Sequence, residues 1–182
     1  MKAICFTGHR PSKLGGYDWN TEKNQKIMIR LCDIVEEILS KCDAGDEVKF
    51  IGGGALGTDQ MGIHVVNRLK EYFPQWSYIE VAVPFKDQPI KWFNSSDVKR
   101  YNEQLNYADK VTYVDKIDKY KIKGYEEDRY YPAKMQKRNE YMIDNSDIVI
   151  AVWDGSKGGT CNCVQYAKKL GKEIIYINPK EL

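Results

Sequence analysis

The stretch FIGGGALGTD at residues 50–59 places a glycine-rich turn between an apolar run and a helical pattern. Glycine N–H groups in that position face the N-terminus of the helix, where the partial positive charge favours phosphate. Thr58 or Asp59 can cap the helix, and Asp59 also offers a carboxylate to ribose hydroxyls. The stretch lacks the Gly-Lys-Ser/Thr ending of a Walker A loop and is not a clean dinucleotide-binding fingerprint. It therefore predicts a phosphate site but does not support NTPase or NAD-dependent redox chemistry.

The same order of strand, turn and helix recurs along the whole chain. Strand-like apolar runs occur at 3–6, 48–51, 78–83, 110–114, 147–153 and 173–177. Helical periodicity occurs at about 21–41, from 58 to a point before Pro74, and at about 95–108, 133–144 and 160–170. Continuously apolar strands that alternate with helices are typical of a parallel sheet covered on both faces. The pattern predicts the α/β class, as a Rossmann-like three-layer sandwich with a mostly parallel sheet of about six strands.

Length and composition indicate one ordinary globular domain over residues 1–182. Hydrophobic residues make up 42% and charged residues 30% of the chain, and no apolar run approaches the ~20 residues of a membrane span. The N-terminal run has no signal-peptide cleavage site, so a cytoplasmic location is predicted. The five cysteines have no framework spacing, and only two histidines are present, so neither disulfides nor a metal site is expected.

A charge of +2 provides no overall field for non-specific nucleic-acid binding, although a local basic cleft is compatible with it. One segment, at about 115–131, breaks the alternation because it is dense in Lys, Asp, Glu and Tyr without a clear period. It is interpreted as an irregular excursion, either a solvated loop or a functional lid.

A second motif, TGHRP at residues 7–11, stands where the first strand ends. Thr7 offers a hydroxyl, Gly8 allows close approach of a ligand, and His9 and Arg10 offer donors to an anion. Ligands of parallel sheets bind at this edge. The alternative is a surface turn with a solvated arginine.

A third motif, WDGSKGGT at residues 153–160, again leads from a strand through glycines into a helix. The N–H groups of Gly158, Gly159 and Thr160 can form a concave site for a second anionic group. Just before that strand, residues 135–139 (MQKRN) place Arg138 and Asn139 on a helix that faces the same cleft, whereas the neighbouring lysines 134 and 137 are expected to face solvent.

Together these motifs resemble the SLOG superfamily, named for Smf (also called DprA) and the LOG proteins, and most closely its YpsA-like branch. The resemblance rests on TGHRP (7–11), GGALGTD (53–59), MxxRN (135–139), and WDG leading to GGT (153–160). It implies a Rossmann-like fold with a pocket for nucleotide-derived ligands. Members of the superfamily include nucleotide sensors, single-strand DNA binders and cytokinin-activating phosphoribohydrolases.

The hydrolase branch is marked by a Pro-Gly-Gly-x-Gly-Thr-x-x-Glu loop, to which Gly159 and Thr160 are similar. The position of the glutamate is occupied by Cys163, and a thiol cannot supply a carboxylate's charge to an oxocarbenium-like transition state. Hydrolysis would need Asp59 or Asp154 as a substitute, acting with Arg138.

The predicted function is therefore binding of a nucleotide or an ADP-ribose-like phosphate ligand, as a sensor or sequestering module that needs no cofactor. The alternatives are an N-glycosidic hydrolase acting on nucleoside monophosphates or NAD-related molecules and, third, single-stranded DNA binding; a homo-oligomer remains open. If glycines line the phosphate site, valine at either position 53 or position 159 should abolish binding with the fold intact. The predicted ligand-binding residues are Thr7, Gly8, His9, Arg10, Gly53, Gly54, Ala55, Gly57, Thr58, Asp59, Arg138, Asn139, Asp154, Gly158, Gly159 and Thr160.

Overall fold

A computed structural model describes residues 1–43, 45–73 and 77–182. Across these residues, six strands alternate with five α-helices, as the sequence predicts. In chain order they are β1 (Lys2–Gly8), α1 (Glu22–Ser40), β2 (Val48–Gly52), α2 (Thr58–Leu69), β3 (Ser77–Val83), α3 (Ser95–Tyr107), β4 (Lys110–Tyr113), α4 (Pro132–Asp144), β5 (Ile148–Val152), α5 (Gly159–Lys169) and β6 (Glu173–Ile177). The helix predicted to end before Pro74 ends at Leu69, and Pro74 lies outside the described residues.

The strands form one sheet in the order β4-β3-β2-β1-β5-β6, and every pair of neighbours is parallel. The predicted α/β, Rossmann-like class is confirmed, and the sheet is wholly rather than mostly parallel. Strand β1 lies at the centre, where Ile4 is opposite both Phe50 of β2 and Ile148 of β5. The chain runs outward from β1 to β4 and then returns to the other side of β1. Such a reversal of strand order opens a crevice at the carboxyl ends of the central strands.

Helices cover both faces of this sheet because successive strand side chains point to opposite sides. Ile4 and Phe6 belong to the core shared with α1 and α2, and α3 packs beside α2 on that face. Cys5 belongs to the second core, with residues of α4 and α5. The result is the three-layer arrangement that the apolar strands predict. None of the described helices is long and apolar enough to cross a membrane.

The segment at 115–131 forms two short 3-10 turns, Val114–Lys116 and Asp118–Tyr120, followed by irregular backbone. Lys134 of α4 holds this segment to the domain. Its ammonium donates to Asp115 Oδ2 at 2.8 Å and to the carbonyl of Glu126 at 2.5 Å. Lys134 is 4% exposed, so the expectation that it faces solvent is wrong. A buried lysine requires such partners because an unpaired charge is costly to remove from water.

Strand β3 is otherwise largely apolar, but it carries a buried carboxylate, Glu80. Thr112 Oγ1 donates to Glu80 Oε1 at 2.6 Å, and the hydroxyl of Tyr141 donates to the same oxygen. Lys49 and Lys110 lie 3.5 and 3.6 Å from the carboxylate oxygens. Burial alone raises the pKa of Glu80, but these hydrogen bonds and cations outweigh it and hold that pKa below its usual value. Glu80 therefore joins β3 to β4 and α4 in its ionised form.

We expect Glu80→Gln to lower the free energy of unfolding at pH 7 by about 1–3 kcal/mol, because the amide loses hydrogen bonds to a charged acceptor. Since the pKa of Glu80 is lower in the folded protein than in the unfolded chain, its contribution is present above about pH 4.3 and is lost as the pH falls through the folded value. Denaturant unfolding of both proteins at several pH values measures this difference. A difference that stayed constant down to pH 3 would contradict a role for the charge.

Candidate functional site

A cavity of about 410 Å³ opens at the carboxyl edge of the sheet, where β1 and β5 end. It unites the first motif, part of the second, the α4 residues and the third motif. The lining residues are Thr7, Gly8, His9, Arg10, Ser12, Lys13, Ala55, Asp59, Met135, Arg138, Asn139, Ser156, Lys157, Gly158, Gly159 and Thr160. Eleven of these were predicted from the sequence. The cavity therefore lies at the strand-order reversal that the fold provides.

The first loop is held by hydrogen bonds from its backbone to β5 and to the start of α2. The N–H of His9 donates to the carbonyl of Val152 at 3.0 Å, and the carbonyl of His9 accepts from Thr58 N and Thr58 Oγ1 at 3.3 and 3.2 Å. The His9 side chain is tied as well, since its Nε2 lies 2.6 Å from Asp154 Oδ1. Arg10 is exposed at the mouth of the cavity. The first loop thus presents one buried imidazole and one exposed guanidinium.

The second glycine loop uses several of its backbone donors within the protein. The N–H groups of Gly53 and Ala55 donate to the Asp59 carboxylate, and the N–H of Thr58 donates to the carbonyl of His9. Of the residues predicted in this loop, only Ala55 and Asp59 line the cavity. Gly53, Gly54, Gly57 and Thr58 do not.

The glycines of this loop make room for other parts of the protein. A Cβ at Gly53 would overlap the guanidinium of Arg138 and a carboxylate oxygen of Asp59. A Cβ at Gly54 would meet the ring of Tyr101, and one at Gly57 would meet the backbone of His9 and Arg10. The glycine pattern therefore serves close packing of the first loop and of α4 on the start of α2.

Arg138 and Asp59 form a buried ion pair at the inner wall of the cavity. Arg138 Nη1 lies 3.0 Å from Asp59 Oδ2 and also donates to the carbonyl of Gly53. Arg138 Nε donates to Asn139 Oδ1 at 3.0 Å. Burial raises the pKa of Asp59, while the charges of Arg138 and Arg10 and the backbone donors oppose that rise. The pair fixes both side chains and leaves the remaining guanidinium N–H groups as donors.

The third loop differs from the second because its backbone donors are free. Helix α5 begins at Gly159 without a side-chain cap. Within the described ranges no acceptor faces the N–H groups of Gly158, Gly159 or Thr160. A Cβ at Gly159 would meet nothing within 4 Å. An uncapped helix N-terminus with exposed N–H groups, open to a cavity, has the properties of an anion site.

Five lining residues were missed from the sequence: Ser12, Lys13, Met135, Ser156 and Lys157. Lys13 follows the first motif and donates to Ser156 Oγ at 2.7 Å, so it bridges the first and third loops across the rim. The sequence offered one signal for these five lining residues, which is that each stands within or beside a recognised motif. Lysines at such positions look the same as solvated surface lysines until the loops are brought together.

Asp154 lies behind His9 and does not line the cavity. Lys180 Nζ is 2.7 Å from its Oδ2, and Ser156 N donates to its Oδ1 at 3.0 Å. These contacts, with His9, hold the pKa of Asp154 well below its usual range. Cys163 is buried beneath Thr7, and burial raises its pKa to about 11. The position of the hydrolase glutamate therefore holds a neutral thiol outside the cavity lining.

No group of three or more His, Cys, Asp or Glu side chains among the described residues is arranged to hold a metal ion. The cavity lining carries basic side chains and backbone N–H donors.

Relatives of known sequence cover almost the whole chain. The SPbeta prophage-derived protein YoqJ of Bacillus subtilis (strain 168) is 45% identical over 157 residues, which are 85% of this chain and 88% of that protein. A UPF0398 protein of Halalkalibacterium halodurans is 30% identical over 189 residues, covering 100% of this chain and 90% of the relative.

Two solved structures share the fold. DNA processing protein A from Helicobacter pylori, studied for its single-stranded DNA binding mode, superposes with a TM-score of 0.58 at 16% identity, over 97% of this chain and 65% of that one. DprA from Streptococcus pneumoniae gives 0.56 at 13% identity, over 97% and 50%. This chain thus spans between half and two thirds of those proteins, and such identities establish the fold alone. A model described as the YspA SLOG family matches residues 4–182, and the chain belongs to that family.

Proposed function

We propose that this protein binds a nucleotide-derived ligand containing a diphosphate, of the ADP-ribose kind, and acts as a sensor or sequestering module. The observation that carries the proposal is the charge of the cavity lining. Arg10, Lys13, Lys157 and Arg138 face one carboxylate, that of Asp59, and that carboxylate is already paired. Such an excess of cations favours a ligand with two or more negative charges.

The anion donors are of two kinds and come from different elements. The N-terminus of α5 supplies backbone N–H groups, and the first loop and α4 supply the guanidinium groups of Arg10 and Arg138. Two linked phosphates would engage both, whereas one phosphate would engage only part of the set. A volume of about 410 Å³ falls in the range of small-molecule sites.

The carboxylates favour binding over turnover. Asp59 is paired with Arg138, and Asp154 is occupied by Lys180, Ser156 and His9. Neither carboxylate is free to replace the glutamate that the hydrolase motif has where this chain has Cys163.

Single-stranded nucleic acid is the second candidate. Two tyrosines, Tyr17 and Tyr130, lie close enough to Arg10 to interact with it electrostatically, and Lys91 Nζ lies 3.7 Å from the ring centroid of Tyr130. Aromatic rings beside cations suit base stacking along a strand. The DprA structures share the fold with this chain, and nucleic acid is accordingly included in the test.

A thermal-shift panel of ADP-ribose, NAD, ADP, AMP, cyclic nucleotides and short oligonucleotides tests the proposal. With all ligands at one concentration, we expect ADP-ribose or another diphosphate to stabilise most, by about 2.7 kcal/mol where that concentration is 100 times its Kd, and AMP to stabilise less. Arg10→Gln should weaken the effect, whereas Arg30→Gln on exposed α1 serves as the matched control.

Three results would indicate another function or refute the proposal. Release of a base from the same samples, followed by chromatography, would indicate a glycosidic hydrolase. Stabilisation by oligonucleotides alone, falling steeply with salt, would indicate single-strand binding. Absence of any shift with mononucleotides or dinucleotides would refute the nucleotide-ligand proposal.

A further inference from the structure

His9 is held so that a single ring nitrogen remains available. Its backbone N–H and carbonyl are bonded to Val152 and Thr58, and its Nε2 is 2.6 Å from Asp154 Oδ1. The residue is only 5% exposed, yet it lines the cavity. In the part of the chain that the structure describes, Nδ1 has no hydrogen-bond partner, and it is not among the fully buried polar atoms. Nδ1 is therefore the ring nitrogen that His9 has available for a ligand in the cavity that it lines.

The position of the ring proton follows from the charge on Asp154. Lys180, Ser156 and His9 stabilise the ionised carboxylate, which can only accept hydrogen bonds. A separation of 2.6 Å between Nε2 and Oδ1 requires a proton between them, so Nε2 carries it. In the other tautomer, Nε2 would accept from Asp154 N, 3.2 Å away, and two acceptors would face each other at 2.6 Å. The neutral ring thus presents the lone pair of Nδ1 to the cavity.

A lone pair facing a phosphate is repelled by it, whereas a protonated Nδ1 donates a charge-assisted hydrogen bond. The negative charge of a bound diphosphate would favour a second proton on the ring. The charged groups around His9 are Arg10 beside it, Lys13 and Lys157 on the rim, Arg138 with Asp59 on α4 and α2, and Asp154 with Lys180 behind it.

From this arrangement we infer that His9 is a proton-linked ligand-binding residue: its ring takes up a proton as a phosphate enters the cavity and then binds a phosphoryl oxygen through Nδ1. Asp154 acts as the positioning residue that fixes the ring and its tautomer. The inference rests on the proposed function for the identity of the ligand but not for the tautomer.

The first test needs no ligand. The chain has two histidines, so ¹⁵N NMR of the imidazoles gives two signal sets, and His64→Gln assigns them. His64 lies on α2 beside Trp19, away from the cavity. We expect neutral His9 to carry its proton on Nε2. A proton on Nδ1 would overturn the inference whatever the protein binds.

The second test uses inorganic pyrophosphate and ADP-ribose as probes. The His9 signals should titrate at higher pH when either probe is present, while the signals of His64 stay unchanged. Calorimetry with ADP-ribose in buffers of different ionisation enthalpy should show proton uptake, and its affinity should be roughly five- to tenfold higher at pH 6 than at pH 8. His9→Gln should remove the uptake, and Asp154→Asn should reduce it.

The two proposals fail in different ways. If ADP-ribose does not bind but pyrophosphate moves the His9 titration, the nucleotide ligand is wrong and proton-linked anion binding stands. If ADP-ribose binds with no proton uptake and no change at His9, the role of His9 is wrong and the proposed function stands. If neither probe moves the His9 titration, the inference is overturned.

Discussion

Replacement of Arg138 by methionine lowers the free energy of unfolding by about 3–5 kcal/mol at pH 7, since it leaves the Asp59 carboxylate buried without a cation. The pKa of Asp59, already raised by burial, rises further in the variant. A raised carboxylate pKa destabilises only above the unfolded value, so the loss starts near pH 4, grows with pH and is complete above the folded pKa. Denaturant unfolding between pH 4 and pH 8 measures it.

The matched control is the neutral pair Arg138→Met with Asp59→Asn. Removing both charges leaves no buried ion to compensate, so the double variant should recover about 2 kcal/mol or more relative to the sum of the single losses. Losses that simply add would show that the two side chains are not coupled, and the central wall of the cavity would have to be reconsidered.

Valine at Gly53 should mainly lower stability, and valine at Gly159 should mainly weaken ligand binding, although the sequence predicts the same role for the two glycines. Gly53→Val forces Arg138 and Asp59 apart and should cost about 3–5 kcal/mol of stability. Gly159→Val projects into open space at the start of α5 and should change stability by no more than about 1 kcal/mol. It should nevertheless weaken binding of the diphosphate ligand about 100-fold or more, because its side chain occupies the anion site.

Unfolding curves and ligand titrations of both variants measure these effects. A stable Gly53→Val protein that has lost only ligand binding would support the interpretation of the second loop as a phosphate cradle. Unchanged affinity in Gly159→Val would remove the α5 N-terminus from the site.

The sequence predicted the fold well because each element carries its own physical signature. Strands such as β5 are apolar throughout since both faces are covered, and α1 repeats apolar residues at intervals of three and four. The motifs also fall on the correct edge of the sheet, because in parallel strands every carboxyl end meets there.

The use made of each residue was harder to predict. A glycine pattern indicates that something approaches the backbone closely, and at Gly53 the approaching group in the structure is Arg138. Lys134 and Glu80 were placed wrongly or overlooked because their partners, Asp115 for one and Thr112 with Tyr141 for the other, come from distant segments. Pairing of charges between distant segments cannot be recognised from the local sequence around either residue.

The central position of β1 has a consequence for synthesis of the protein. Residues 2–8 are made before β5, and their pairing with it needs residues up to 152, so a growing chain holds β1 with one edge open until β5 has been made. Open, apolar strand edges promote association between chains, and pairing over such a sequence distance is slow. His9 and Asp154, which are 145 positions apart, meet only after that pairing. The nascent chain is therefore most exposed to aggregation before β5 has left the ribosome.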